Sequence, residues 1–107
     1  MPLQPLTPEQ RAGALAKAGQ VRKERAALKG RLKRGEVTLA EVLRDGLTSD
    51  VIGRMRVSAV IQALPGMGKV KTAHLMDRFG IPDNRRLRGL SAKQRAALET
   101  AFAPIPA

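Results

Sequence analysis

A helix-start pattern that occurs three times limits the fold of this chain more than any other feature of its sequence. In this pattern, Ser or Thr is followed three residues later by Glu or Gln, and the two side chains exchange hydrogen bonds with the backbone where a helix begins. The three pairs are Thr7 with Gln10, Thr38 with Glu41, and Ser91 with Gln94. No alternation of apolar and polar residues lasts long enough to predict a strand. The sequence therefore predicts an all-α fold.

Helical spacing and glycine stops predict a long N-terminal helix followed by a compact bundle of four to five short helices. The long helix spans residues 7–34, because apolar residues recur at intervals of three, four and seven up to a stop at Gly35. Its first turns have a narrow apolar face and are expected to project from the domain. The short helices are predicted after Thr38, after Ser49 or Asp50, after Ser58, from Lys69 to Phe79, and after Ser91. A chain of 107 residues suits a single domain, here with a flexible tail at residues 103–107.

An excess of positive charge indicates a polyanionic partner. The chain has 20 Lys and Arg against 9 Asp and Glu, which gives a formal net charge of +11. Such a surface attracts nucleic acid. Aromatic residues make up only 2% of the chain, and this scarcity disfavours proteins that stack unpaired bases.

Composition also argues against several other classes of protein. With no cysteine and one histidine, the chain offers no conventional metal site, and we expect no cofactor and no catalytic residue. No apolar run approaches the roughly 20 residues that span a bilayer, and no signal-peptide core is visible. We therefore expect a cytoplasmic protein without a membrane partner.

The most informative segment is residues 64–71, where two glycines lie on either side of one apolar residue between two predicted helices. We call this segment the hairpin. Its residues are Leu64, Pro65, Gly66, Met67, Gly68, Lys69, Val70 and Lys71. The helix that begins near Gly68 presents unpaired N–H groups and the positive end of its dipole, which suit a phosphate, and the two lysines add charge-assisted contacts. With its flanking helices, residues 57–80, the hairpin resembles the helix-hairpin-helix and helix-two-turn-helix DNA-binding motifs.

Two details of this segment are open to a structural test. Glycine at a tight turn often adopts positive φ, and we expect this conformation at Gly68 in particular. The apolar face of the following helix is predicted to contain Val70, Ala73, Leu75, Met76 and Phe79. His74 lies among these residues, so ordinary packing is expected for it instead of a catalytic role.

Two further cationic segments are candidates for contact with nucleic acid. Arg85, Arg86 and Arg88 lie in a loop, residues 82–89, that lacks helical spacing. Arginine forks onto phosphates and enters narrowed minor grooves, although the charges of an isolated loop are often only solvated. On the long helix, Arg22, Lys29 and Lys33 are spaced to form one column, which is a possible second basic surface or simply a solvated face. Arg25 falls in the apolar stripe, where its aliphatic stem can extend along the core.

The chain resembles the actinobacterial integration host factor family. The matching residues are Leu28-Lys29, Arg31 to Gly35, Val57-Ser58-Ala59, Leu64-Pro65, Gly68 to Lys71, and Arg85 to Leu90. The resemblance implies a small helical nucleoid-associated protein that binds duplex DNA with little sequence preference, bends or compacts it, and assists phage integration. It also implies a DNA-binding lid, residues 82–94, next to the hairpin. The candidate lid contacts are Asn84, Arg85, Arg86, Arg88, Gly89 and Lys93.

The sequence bears on three alternatives to this function. A glycosylase-type enzyme shares the helix-two-turn-helix and an N-terminal proline, but this chain has no β-sandwich, no zinc finger and no base-flipping pocket, so an enzyme is not expected. A membrane-active helix is disfavoured by its narrow apolar face. RNA binding or association with the ribosome remains the main alternative, because duplex RNA also presents a regular phosphate backbone. We expect a monomer, with a phage integrase or another recombination protein as a possible partner.

Overall fold

The computed structural model describes residue 5 and residues 7–103, and this part of the chain consists of helices and short turns. The elements are α1 (Pro8–Lys33), α2 (Leu39–Asp45), α3 (Asp50–Gly53), α4 (Val57–Gln62), α5 (Lys69–Arg78), a 3-10 turn (Leu87–Gly89) and α6 (Ala92–Ala101). The prediction of an all-α fold with a long first helix is confirmed. Of the predicted tail, residues 104–107 lie outside the described residues.

Only the C-terminal half of α1 packs against the rest of the protein. Thr7 and Gln10 form the predicted capping box at its start, and Gly35 ends it with a positive φ of 73°. Leu28 and Leu32 are buried, whereas the side chain of Leu15 is 66% exposed. The first turns therefore project, as their narrow apolar face predicted.

The core lies between the end of α1 and the short helices. Its members are Leu28, Leu32, Val37, Leu39, Val42, Leu43, Met55, Val57, Val60, Ile61, Leu64, Met76, Ile81, Leu87, Leu90 and Leu98. Burial of these side chains stabilises the fold by roughly 1.5–3 kcal/mol for each fully buried large one. The core therefore fixes where α1, the hairpin and the lid stand relative to one another.

The predicted packing face of α5 is partly wrong. Thr72 and Met76 are its buried residues, Val70 is 69% exposed, and Ala73 and His74 are also exposed. Thr72 and Met76 are four residues apart and share one side of the helix. Around the helix axis, Ala73 is rotated by about 100° from Thr72, and Val70 by about 160°. Packing of α5 on α4 sets this rotation, and spacing within α5 alone did not reveal it.

Two predicted boundaries also change. The helix expected after Ser58 begins at Val57, with Arg56 as its N-cap, because the Val57 N–H donates to the Arg85 carbonyl oxygen at 2.9 Å. The loop at residues 82–89 ends in the 3-10 turn, which forms where Leu87 is buried. Both changes arise from contacts between segments about 30 residues apart.

Neither a membrane-crossing helix nor a metal-binding cluster occurs among the described residues. Each helix in residues 7–103 is too short or too polar to cross a bilayer. No three His, Cys, Asp or Glu side chains in this part of the chain lie close enough together to hold a metal ion.

Candidate nucleic-acid interface

The hairpin reverses the chain between α4 and α5 with one glycine in a left-handed conformation. The Met67 N–H donates to the Leu64 carbonyl oxygen at 3.2 Å, and Gly66 has a φ of 77°. Gly68 has a φ of −107° and a ψ of −179°, which is extended backbone that any residue adopts. The expectation of positive φ at Gly68 is therefore wrong. Gly66 provides the reversal, and Gly68 is the residue from which α5 begins.

The start of α5 lacks the side-chain cap that most of the other helices have. Thr7, Thr38, Ser49 and Ser91 each accept a backbone N–H at the start of α1, α2, α3 and α6. Gly68 has no side chain to do the same, so the N–H groups of the first turn remain available for an external acceptor. A Cβ atom built on Gly68 meets nothing within 4 Å, so an external group can approach this backbone closely.

Charge around this helix start comes from two different elements. The Lys71 ammonium folds back over the turn and donates to the Gly66 carbonyl oxygen at 3.4 Å. Lys29 and Lys33, on α1, line an open groove of about 600 Å³ whose opposite wall is the hairpin from Leu64 to Gly68. The structure therefore places these two lysines beside the hairpin. Arg22, the third member of the predicted column, is exposed and does not line this groove.

Arg85 in the lid is held by internal hydrogen bonds. Its guanidinium donates from Nη1 to the Gly89 carbonyl oxygen at 2.9 Å and to Gln94 Oε1 at 3.2 Å. Gln94 in turn donates to the Gly80 carbonyl oxygen at 3.1 Å, just after α5. The half-buried Arg85 thus ties the lid to itself and, through Gln94, to the end of the hairpin helix.

Arg88 ties the other side of the lid to α3. Its guanidinium forms an ion pair with Asp50, which also lies 3.7 Å from the guanidinium of Arg54. The hydrogen bond from Arg88, and then the charges of Arg88 and Arg54, lower the pKa of the Asp50 carboxyl. A Cβ atom on Gly53 would lie 3.2 Å from Arg88 Nε and 2.6 Å from the Gly46 carbonyl oxygen, so only glycine fits there without displacement.

The remaining lid candidates face the solvent. Asn84, Arg86, Gly89 and Lys93 are exposed. Arg86 forms an isolated antiparallel bridge with Arg56, the residue before α4. Sequence reasoning missed Arg56, and no spacing rule could have found it, because it lies 30 positions from its bridge partner.

Two further cations serve the fold. Arg25 donates from Nε to the Val51 carbonyl oxygen at 3.4 Å, so it extends along the core as expected. Arg95 donates to the Leu43 carbonyl oxygen at 3.1 Å and links α6 to α2. Some cationic residues, such as Arg25 and Arg95, thus hold the fold, whereas others remain exposed around the groove and the lid.

The helices from the end of α1 to α6 define the class of the protein. Residues 32–102 match a family model described as S13-like H2TH domain. Three relatives named integration host factor match 102 residues, which is 95% of this chain. The relative from Streptomyces coelicolor is 53% identical with 95% of its length covered, that from Mycolicibacterium smegmatis is 52% identical with 97% covered, and that from Mycobacterium tuberculosis is 51% identical with 97% covered. This chain belongs to the integration host factor family of actinobacteria.

A solved structure supports the same assignment. It is described as "Structure of sIHF bound to an 8bp palindromic DNA" and superposes with a TM-score of 0.81 at 48% sequence identity, covering 82% of this chain and 99% of that one. The resemblance found in the sequence is therefore confirmed over nearly the whole chain. The relatives' names are those of a factor and not of an enzyme, in agreement with the prediction.

Proposed function

We propose that this protein binds duplex DNA as a non-enzymatic architectural factor of the nucleoid. The observation that supports this function best is the groove between α1 and the hairpin. There, the uncapped start of α5 lies on one side and two lysines lie on the other. Backbone N–H groups at a helix start and flanking ammonium groups together suit phosphate oxygens. The relative solved with an 8-bp DNA adds support from a homologue.

In this proposal the hairpin and the lid hold the same duplex. The N–H groups at Gly68 and Lys69, together with Lys29, Lys33, Lys69 and Lys71, bind one run of phosphates. Leu64, Pro65, Gly66, Met67 and Val70 complete the hairpin surface.

Arg86 is the main contact where the lid lies across the adjacent minor groove, and Arg88 contributes through the half of its side chain that remains exposed. Asn84, Gly89 and Lys93 extend this surface. Arg85 acts mainly by holding the lid in place.

Most of these contacts are to the backbone, so little sequence preference is expected. Simultaneous binding of one duplex by the hairpin and the lid would bend it, and bent DNA favours compaction and recombination. A monomer suffices for this mechanism. An integrase or another recombination protein would act as a partner through the shared DNA.

The proposal is tested by fluorescence anisotropy with a labelled random duplex of 30 base pairs at several salt concentrations. Neutralisation of about six phosphates predicts a slope of log affinity against log salt near −5. Binding that is tight, steep in salt and nearly equal for unrelated DNA sequences supports the architectural function. Weak binding that hardly responds to salt contradicts it.

The matching duplex RNA is the second ligand in this experiment, because RNA binding is the main alternative. A-form RNA offers the same phosphate chemistry with a different groove geometry. A clear preference for DNA supports a nucleoid function. Equal or tighter binding of RNA favours a ribosomal or RNA-chaperone function instead.

A further inference from the structure

Two arginines from distant parts of the chain are placed side by side where the lid meets α4. The Val57 N–H donates to the Arg85 carbonyl oxygen at 2.9 Å, and the Leu87 N–H donates to the Met55 carbonyl oxygen at 3.0 Å. These bonds lie on either side of Arg56 and Arg86, which are therefore the non-hydrogen-bonded pair of an antiparallel bridge. In such a pair the Cα atoms are about 4.5 Å apart and the side chains project to the same side.

No neighbour among residues 7–103 neutralises the guanidinium of Arg56 or Arg86. Both arginines are exposed, and within residues 7–103 neither side chain forms a hydrogen bond or an ion pair with another group. Asp50, the acid nearest to Arg56 in sequence, is already paired with Arg88 and Arg54. Asp83, the acid nearest to Arg86, forms no ion pair among the described residues. Like charges directly opposite each other across two strands are destabilising. In the free protein the two guanidinium charges therefore repel each other. A bound anion would relieve this repulsion.

We propose that Arg56 and Arg86 bind one phosphate of the duplex backbone between them, with Arg56 as a nucleic-acid contact in its own right. The proposal rests on the proposed function. It adds Arg56 as a contact residue and a phosphate held between two arginines as the geometry of the contact. One phosphate has enough oxygen acceptors for two guanidinium forks, and charge-assisted bonds of this kind are the strong ones. The six residues of α4 separate this clamp from the hairpin by about 9 Å of helix, so one duplex can engage both.

Salt dependence of duplex binding tests whether the two arginines share a phosphate. Arg56→Ala is expected to weaken binding of the 30-base-pair DNA by about fivefold to tenfold. The double variant Arg56→Ala with Arg86→Ala is expected to flatten the salt slope by about 0.9, the value for one phosphate. A flattening of about 1.8 in the double variant means two separate phosphates and overturns the shared clamp.

Arg54→Ala is the matched control, because Arg54 is an exposed arginine two positions away whose partner is Asp50. It removes the same charge and is expected to change affinity by less than about twofold. If Arg56→Ala and Arg54→Ala weaken binding equally, the loss reflects net charge and the clamp is wrong, while the proposed function stands. If the wild-type protein binds neither DNA nor RNA, the proposed function and the clamp fail together.

A measurement without nucleic acid tests the repulsion itself. Arg56→Gln keeps most of the side chain and removes the charge, so its Tm at low salt is expected to exceed the wild-type Tm by about 1–4 °C. High salt should remove this difference, because exposed charges are screened. Circular dichroism during heating gives both values and also shows that the variant folds. An unchanged or lower Tm at low salt means that the two charges do not repel, which overturns the basis of the clamp.

Discussion

The hairpin and the lid are both cationic, yet they use their charge differently. In the hairpin, the start of α5 has no side-chain cap, and Lys29 and Lys33 line an open groove beside it. In the lid, Arg85 binds Gly89 and Gln94, and Arg88 pairs with Asp50. Arg86 is left exposed, next to Arg56. The hairpin thus presents backbone N–H groups and lysines to a ligand. In the lid, two of the arginines instead form internal bonds that hold the lid in place.

This difference shows why counting cations is a poor guide to binding. Arginine's planar fork suits carbonyl oxygens and carboxylates inside a protein as well as phosphates outside it. Lysines on exposed helix faces make fewer such internal bonds, so their charge stays available. The contribution of each lid arginine to binding therefore depends on its partner in the fold, which variants can test.

The largest effect is expected where the hairpin offers its backbone. Gly68→Asp places a carboxylate at the N-cap of α5, where it accepts the free N–H groups and repels phosphate. Loss of charge-assisted bonds worth about 2–3 kcal/mol predicts duplex binding about 30-fold to 150-fold weaker by anisotropy. The Tm is expected to be unchanged or slightly higher, because the φ of −107° and the open space accept a side chain.

Gly13→Asp is the control for this variant. Gly13 lies on the projecting part of α1, and a Cβ atom there meets nothing within 4 Å. The charge change is the same, so only position differs between the two variants. Equal loss of affinity in both would mean that the start of α5 makes no specific contact, and the contrast between hairpin and lid would disappear.

Within the lid, Arg86→Ala and Arg85→Ala are expected to act on different properties. Arg86→Ala should weaken binding about tenfold and flatten the salt slope by no more than about 0.9. Its Tm should not fall, since this side chain is exposed and its removal ends the repulsion with Arg56. Arg85→Ala removes two internal hydrogen bonds worth about 1 kcal/mol each, so its Tm should fall by about 4 °C or more. Thermal denaturation and anisotropy on both variants separate the two roles. An Arg85→Ala variant with normal Tm and a flattened slope would make Arg85 a phosphate contact.

The smallest effect is expected at Asp50, which holds Arg88. Asp50→Asn frees Arg88 and removes a negative charge, so duplex affinity should rise about twofold to threefold. Arg88 lowers the pKa of the Asp50 carboxyl, so the ion pair stabilises the fold above the unfolded pKa of about 3.9. That stabilisation is lost as the pH falls through the lowered pKa, and the Tm values of wild type and variant should converge there.

Asp45→Asn controls for the loss of an exposed carboxylate that forms no ion pair among the described residues. This variant should bind the duplex with close to wild-type affinity. Its Tm should also stay close to that of the wild type as the pH falls. A tenfold gain in affinity with Asp50→Asn would identify Arg88 as a major contact that Asp50 restrains. The lid would then resemble the hairpin in presenting most of its charge to the DNA.

The fold was largely predictable because its signals are local. Each capping pair acts within four residues, and each glycine stop acts on its own turn, as the positive φ values at Gly35 and Gly80 illustrate. The hairpin and the cations of the lid were also found in the sequence. The errors at Val70, Ala73 and His74 have one cause, because the rotation of α5 about its axis is set by packing on α4 and not by its own spacing.

By itself, the sequence determined the helices, most of their ends, the turn between α4 and α5 and the excess of positive charge, since these depend on neighbours within one or two helical turns. Tertiary structure alone decided which cations remain exposed. It brought Lys29 and Lys33 to the hairpin, paired Arg88 with Asp50, and set Arg56 beside Arg86. Such pairings join positions 30 or more residues apart, and only burial of a shared core brings them together.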